Sequence, residues 1–133
     1  MARDDKQTAS IMIVDDDPGS LKLEADVLSS RGYSIIKAQD GSEALDLIKQ
    51  KRPDLIVLDL VMPKSDGWRV CKKLKEDPAY KSIPIILMSV LIEQECETQA
   101  LELGDAFLTK PFDTEKFLST VRRLLSQGGE GRA

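Results

Sequence analysis

Four short, unbroken apolar runs, each ending on a polar residue, constrain this chain more than any other feature. Ile11-Met12-Ile13-Val14 leads into Asp15-Asp16-Asp17, and Leu55-Ile56-Val57-Leu58 into Asp59. Ile85-Ile86-Leu87-Met88 leads into Ser89, and Ala106-Phe107-Leu108-Thr109 into Lys110-Pro111. Strands with one wet face alternate apolar and polar residues, so continuous runs of this length imply strands covered on both faces, as in parallel sheets. A weaker run, Tyr33-Ser34-Ile35-Ile36, completes the set. This more polar run and the short Ala106 run are expected at the sheet edges.

Between the runs the apolar spacing is helical. Leu21, Ala25 and Leu28 form one stripe, Ala44, Leu45 and Ile48 a second, and Val70 with Leu74 a third. Ile92, Cys96, Ala100 and Leu103 form a fourth, and Phe117, Val121 and Leu124 a fifth. Each stripe can lie on a sheet. The punctuation agrees: Asp17-Pro18 reads as an N-cap followed by proline at the first helical position, Gly32 as a helix-ending glycine, and Asp40 with Glu43 as a capping box. Five strand-helix units result, an α/β doubly wound sheet of five parallel strands with five helices. Ligands of such sheets bind in the crevice outside the carboxyl ends of the strands. Three acids, a hydroxyl and an ammonium group would meet there.

A chain of 133 residues, 41% of them hydrophobic, suits one core. The domain is expected over residues 10–126. Residues 1–9 and 127–133 lack apolar periodicity and are read as flexible tails, the second as a tail or the stub of a linker. A net charge of -4 and a pI near 4.9 argue against a surface built to bind nucleic acid or anionic lipid. No apolar stretch approaches the length of a membrane span, and no signal segment follows Met1, so a cytoplasmic location is expected. Cys71 and Cys96 lack metal-ligand spacing and are read as small apolar residues on helices. Trp68 is read as packing at a helix start, and Lys72-Lys73-Leu74-Lys75 as a solvated helix face.

The predicted cluster of Asp15, Asp16 and Asp59 has a physical cost. Two unit charges about 4 Å apart repel by roughly 4 kcal/mol at an effective dielectric near 20, so three carboxylates need a cation or shifted pKa values. Hard oxygen ligands with room for water suit Mg²⁺, with Mn²⁺ as an alternative. An aspartate carboxylate can also attack phosphorus and form an acyl phosphate. Lys110 could then offset charge on the phosphoryl oxygens, and the Ser89 hydroxyl could bind one of them.

In these motifs the sequence resembles the receiver domains of two-component response regulators. The residues that carry the resemblance are Ile13-Val14-Asp15-Asp16-Asp17-Pro18, Pro53 through Pro63 around Asp59, Asp66-Gly67, Ser89, and Leu108-Thr109-Lys110-Pro111-Phe112. The resemblance implies a flavodoxin-like fold with strand order 2-1-3-4-5, an order the chemotaxis receivers exemplify. It implies Asp59 as phosphoacceptor, with Asp16 binding Mg²⁺ directly, Asp15 mostly through water, and the Val61 backbone carbonyl completing the protein ligands. Ser89 and Lys110 would contact the phosphoryl group, a cis peptide before Pro111 would aim the lysine inward, and Phe107 would be the aromatic whose rotamer follows Ser89.

The implied partner is a sensor histidine kinase or histidine phosphotransfer protein. The implied output is a separate effector or a homodimer partner, met through the face made by the fourth helix, fifth strand and fifth helix. Two positions depart from the pattern. Val90 follows Ser89 where a small residue is usual, and Phe107 lacks the phenolic hydroxyl of the commoner tyrosine. Val61 and Leu91, which flank the route of water to the phosphorus, are both apolar, so slow loss of the phosphoryl group is expected. Val61 also stands where aspartyl phosphohydrolases carry a second acid, which weakens that enzymatic alternative.

Overall fold

The computed structural model describes residues 9–60, 67–89 and 105–132. The apolar runs form strands Ser10–Val14 (β1), Ser34–Ala38 (β2), Leu55–Asp59 (β3), Ile85–Ser89 (β4) and Ala106–Thr109 (β5). All neighbouring pairs are parallel, in the order β2-β1-β3-β4-β5, so the weaker Tyr33 run and the short Ala106 run do lie at the edges. The described helices are Pro18–Ser29 (α1), Gly41–Gln50 (α2), Gly67–Glu76 (α3) and Thr114–Arg132 (α4). Four helices are therefore described where five were expected. The missing one, built on Ile92, Cys96, Ala100 and Leu103, falls outside the described residues.

Because side chains alternate along a strand, the runs split between two faces. Ile11, Ile13, Leu55, Val57, Ile86, Met88, Ala106 and Leu108 pack with Leu21, Ala25 and Leu28 of α1 and with Phe117, Leu118, Val121 and Leu124 of α4. Met12, Val14, Ile56, Leu58, Ile85 and Leu87 pack with Ala44 and Ile48 of α2 and with Val70, Cys71 and Leu74 of α3. Each fully buried aliphatic side chain contributes about 1.5–3 kcal/mol relative to an exposed one. This two-sided burial is why β1, β3 and β4 read as unbroken apolar segments.

Local chemistry sets the helix ends. Asp17 caps α1, its carboxylate accepting from the Ser20 N–H at 3.0 Å, with Pro18 opening the first turn. Gly32 leaves that helix at φ 92°, the left-handed region where glycine carries no Cβ penalty. Asp40 accepts from the Glu43 N–H at 2.8 Å, but the Glu43 carboxylate reaches back to the Gln39 N–H at 2.7 Å, one residue before the cap. Helical backbone in α4 continues to Arg132, past residue 126. Extending a formed helix costs far less than nucleating one, which lets α4 run into a sequence without apolar periodicity.

The lysine run on α3 needs a correction. Lys72 and Lys73 are exposed, but Lys75 folds against the sheet edge. Its ammonium donates to the Asp105 carboxylate at 2.8 Å and to the Ile83 carbonyl at 3.2 Å.

Candidate functional site

Three strand ends supply the chemistry. Asp15 follows β1 directly, its N–H donating to the Ala38 carbonyl at 3.1 Å, while one of its carboxylate oxygens accepts from the Asp17 N–H at 3.0 Å. Asp59 is the last residue of β3, and the Leu60 N–H beyond it donates to Met88 of β4 at 2.9 Å. Lys110 follows β5 and donates its N–H to the Ser89 carbonyl at 2.9 Å. The Lys110–Pro111 peptide is cis. Because the strands are parallel, these ends open on the same edge of the sheet.

Asp15, Asp16 and Asp59 each offer an oxygen, and those three atoms lie within 4.8 Å of one another. Asp15 and Asp59 are buried, Asp16 exposed. The Lys110 ammonium donates to Asp15 Oδ2 at 2.6 Å and to Asp59 Oδ2 at 3.2 Å. Burial opposes its charge, but the hydrogen bond to Asp15 and the negative charges of Asp15, Asp59 and Glu24 outweigh that, holding Lys110 above the ordinary lysine range. One ammonium cannot neutralise three clustered carboxylates. A set of hard oxygen donors with surplus negative charge, one of them open to solvent, fits a small divalent cation such as Mg²⁺.

Ser89 ends β4, fully buried and in register with Thr109. Phe107 pairs with Leu87, is half-buried, and packs on the α2–α3 side of the sheet. The register puts Phe107 and Ser89 on the same face of adjacent strands. Val61, Asp66, Val90 and Leu91 lie outside the described residues. Trp68 is half-buried against the α2–α3 core, as a packing residue would be.

Sequence reasoning missed Glu24. It is 1% exposed on α1, and its Oε2 lies 3.9 Å from the Lys110 ammonium. Burial first, and then the charge of Asp15, push its carboxyl up to about 8, with Lys110 opposing. A signal was available: Glu24 lies between Leu21 and Leu28 on the inward stripe of α1, where a charged residue breaks the pattern. Gly67 was read as part of a motif, without its packing role. A Cβ there would meet the Asp59 carbonyl oxygen at 2.1 Å.

The family model described as the response regulator receiver domain matches residues 11–122. The chain belongs to that family. The receiver is 41% identical over 116 residues to the DNA-binding dual master transcriptional regulator RpaA of Synechocystis, a match that covers 86% of this chain and 48% of RpaA. It is 35% identical over 117 residues to the polar-differentiation response regulator DivK of Brucella anthropi, covering 87% of this chain and 95% of DivK. The receiver thus spans about half the length of one relative and nearly all of the other. A solved two-component response regulator from Clostridium difficile superposes with a TM-score of 0.83 at 30% identity, covering 90% of this chain and 97% of that one. Five parallel strands in the order 2-1-3-4-5 are therefore the flavodoxin-like receiver fold.

Proposed function

We propose that this receiver takes a phosphoryl group from a sensor histidine kinase or histidine phosphotransfer protein onto Asp59. The observation that carries the reading is the convergence of Asp15, Asp16, Asp59 and Lys110 at one edge of the sheet. In the transfer, an Asp59 carboxylate oxygen forms a bond to phosphorus as the bond from phosphorus to the donor's imidazole nitrogen breaks. Lys110, already beside Asp59, turns its ammonium to an oxygen of the new phosphoryl group. The Ser89 hydroxyl binds another, and Phe107 follows it inward on the same face. Asp15, Asp16, Asp59 and the Val61 carbonyl would hold Mg²⁺, which when bound offsets carboxylate repulsion and charge on the phosphoryl oxygens.

The receiver is a signalling phosphoacceptor rather than a turnover enzyme, and its unit spans residues 10–126 in the cytoplasm. Among the described residues no helix is long and apolar enough to cross a membrane. Phosphorylation biases a two-state face that includes β5 and α4, which meets a separate effector or a second copy, without direct contact to nucleic acid. With acetyl phosphate and Mg²⁺, intact mass should rise by one phosphoryl group, about 80 Da, and Asp59→Asn should abolish the gain. Equal modification of the mutant would overturn the assignment.

A further inference from the structure

Glu24 shares the inward stripe of α1 with Leu21, Ala25 and Leu28. An apolar side chain there would bury freely, whereas a carboxyl loses its hydration and needs a partner to offset that loss. Its Oε2 is buried with no hydrogen-bond partner, yet it faces the Lys110 ammonium at 3.9 Å. That ammonium has three donor hydrogens. Asp15 and Asp59 accept two hydrogen bonds from it, and Glu24 Oε2 lies 3.9 Å from the same nitrogen, just beyond hydrogen-bond reach.

We propose that Glu24 is a positioning residue that pulls the Lys110 ammonium towards α1, against its placement beside Asp59. The proposal rests on the phosphoacceptor reading of Asp59. An arriving phosphoryl group needs the ammonium where it sits in this structure, 3.2 Å from Asp59, so any pull towards α1 works against transfer. Removing the Glu24 carboxyl therefore frees Lys110 for the phosphoryl oxygens and speeds uptake. The effect runs through Lys110 and vanishes when the ammonium is gone.

The test is a double-mutant cycle with Glu24→Leu and Glu24→Gln, each made in the parent and in Lys110→Ala. Uptake from acetyl phosphate at saturating Mg²⁺ is followed by intact mass. Glu24→Leu should speed uptake by about threefold or more in the parent and leave Lys110→Ala unchanged, the non-additivity expected of contacting residues. Glu24→Gln, of the same shape, should act in the same direction by a smaller factor. A change of equal size with and without Lys110, no change, or slower uptake would overturn the proposal.

Thermal unfolding reads the same cycle without phosphoryl chemistry. The shift caused by Glu24→Leu should differ by about 3 °C or more between the two backgrounds, and equal shifts would remove the coupling. A parent that gains no mass would sink the phosphoacceptor reading, while the melting cycle would still decide whether Glu24 acts on Lys110.

Discussion

A Cβ at Gly67 would lie 2.1 Å from the Asp59 carbonyl oxygen and 2.7 Å from Leu60 Cα, both backbone atoms that cannot rotate away. The Gly67 N–H also donates to the Leu60 carbonyl at 3.1 Å, so the start of α3 is tied to the end of β3 that carries Asp59. Gly67→Ala should cost about 2–3 kcal/mol and lower Tm by roughly 10 °C, measured by circular dichroism. An unchanged Tm would mean that the close approach has no energetic weight. Cys71 is the second telling residue. Burial pushes its thiol up to about 11, with Lys75 opposing and Asp105 adding. Because that lies above the ordinary thiol value of 9.0, the stability Cys71 contributes by staying neutral is complete below about pH 9 and is lost as pH rises through about 11. At pH 8, iodoacetamide should leave the native Cys71 peptide unlabelled and modify it once the chain is denatured, as peptide mass spectrometry would read. Rapid native labelling would contradict this burial.

Between elements, the Lys75–Asp105 pair joins α3 to the start of β5. Asp105 also accepts from the Ile85 N–H at 2.8 Å, so one carboxylate holds the entry to β4 as well. The pair is partly exposed, and solvent screening reduces its value. Lys75→Met, which keeps most of the apolar stem, should therefore cost only about 1 kcal/mol, read from the urea midpoint at unchanged m-value. A neutral or stabilising result would show that the clip adds nothing beyond stem packing. At this scale the helix caps were legible in advance, because Asp17 with Pro18 and Asp40 with Glu43 act within a single turn of chain. The Lys75 contact was not. A lysine in a run of lysines looks solvated until the start of β5 brings Asp105 beside it.

For the whole receiver, the surplus of carboxylates at the strand ends should make stability respond to a divalent cation. At a free Mg²⁺ concentration near one hundred times its dissociation constant, mass action should stabilise the fold by about 2.7 kcal/mol and raise Tm accordingly. Asp16→Ala should remove most of that response in a thermal shift series, and an undiminished response would show that the ligand set is wrong. The sequence by itself determined the strands, their parallel pairing, which two lie at the edges, and the strand-end residues Asp15, Asp16, Asp59, Ser89 and Lys110. It could do so because two-sided burial makes every residue of a strand apolar, and because parallel strands must end together. Only the tertiary structure decided that Glu24 faces Lys110, that α3 begins against the Asp59 carbonyl, and that Lys75 reaches Asp105. Periodicity reports which side of an element faces inward. Which group from a distant element waits there depends on how helices and sheet are packed, and neighbouring residues in the chain carry no record of that.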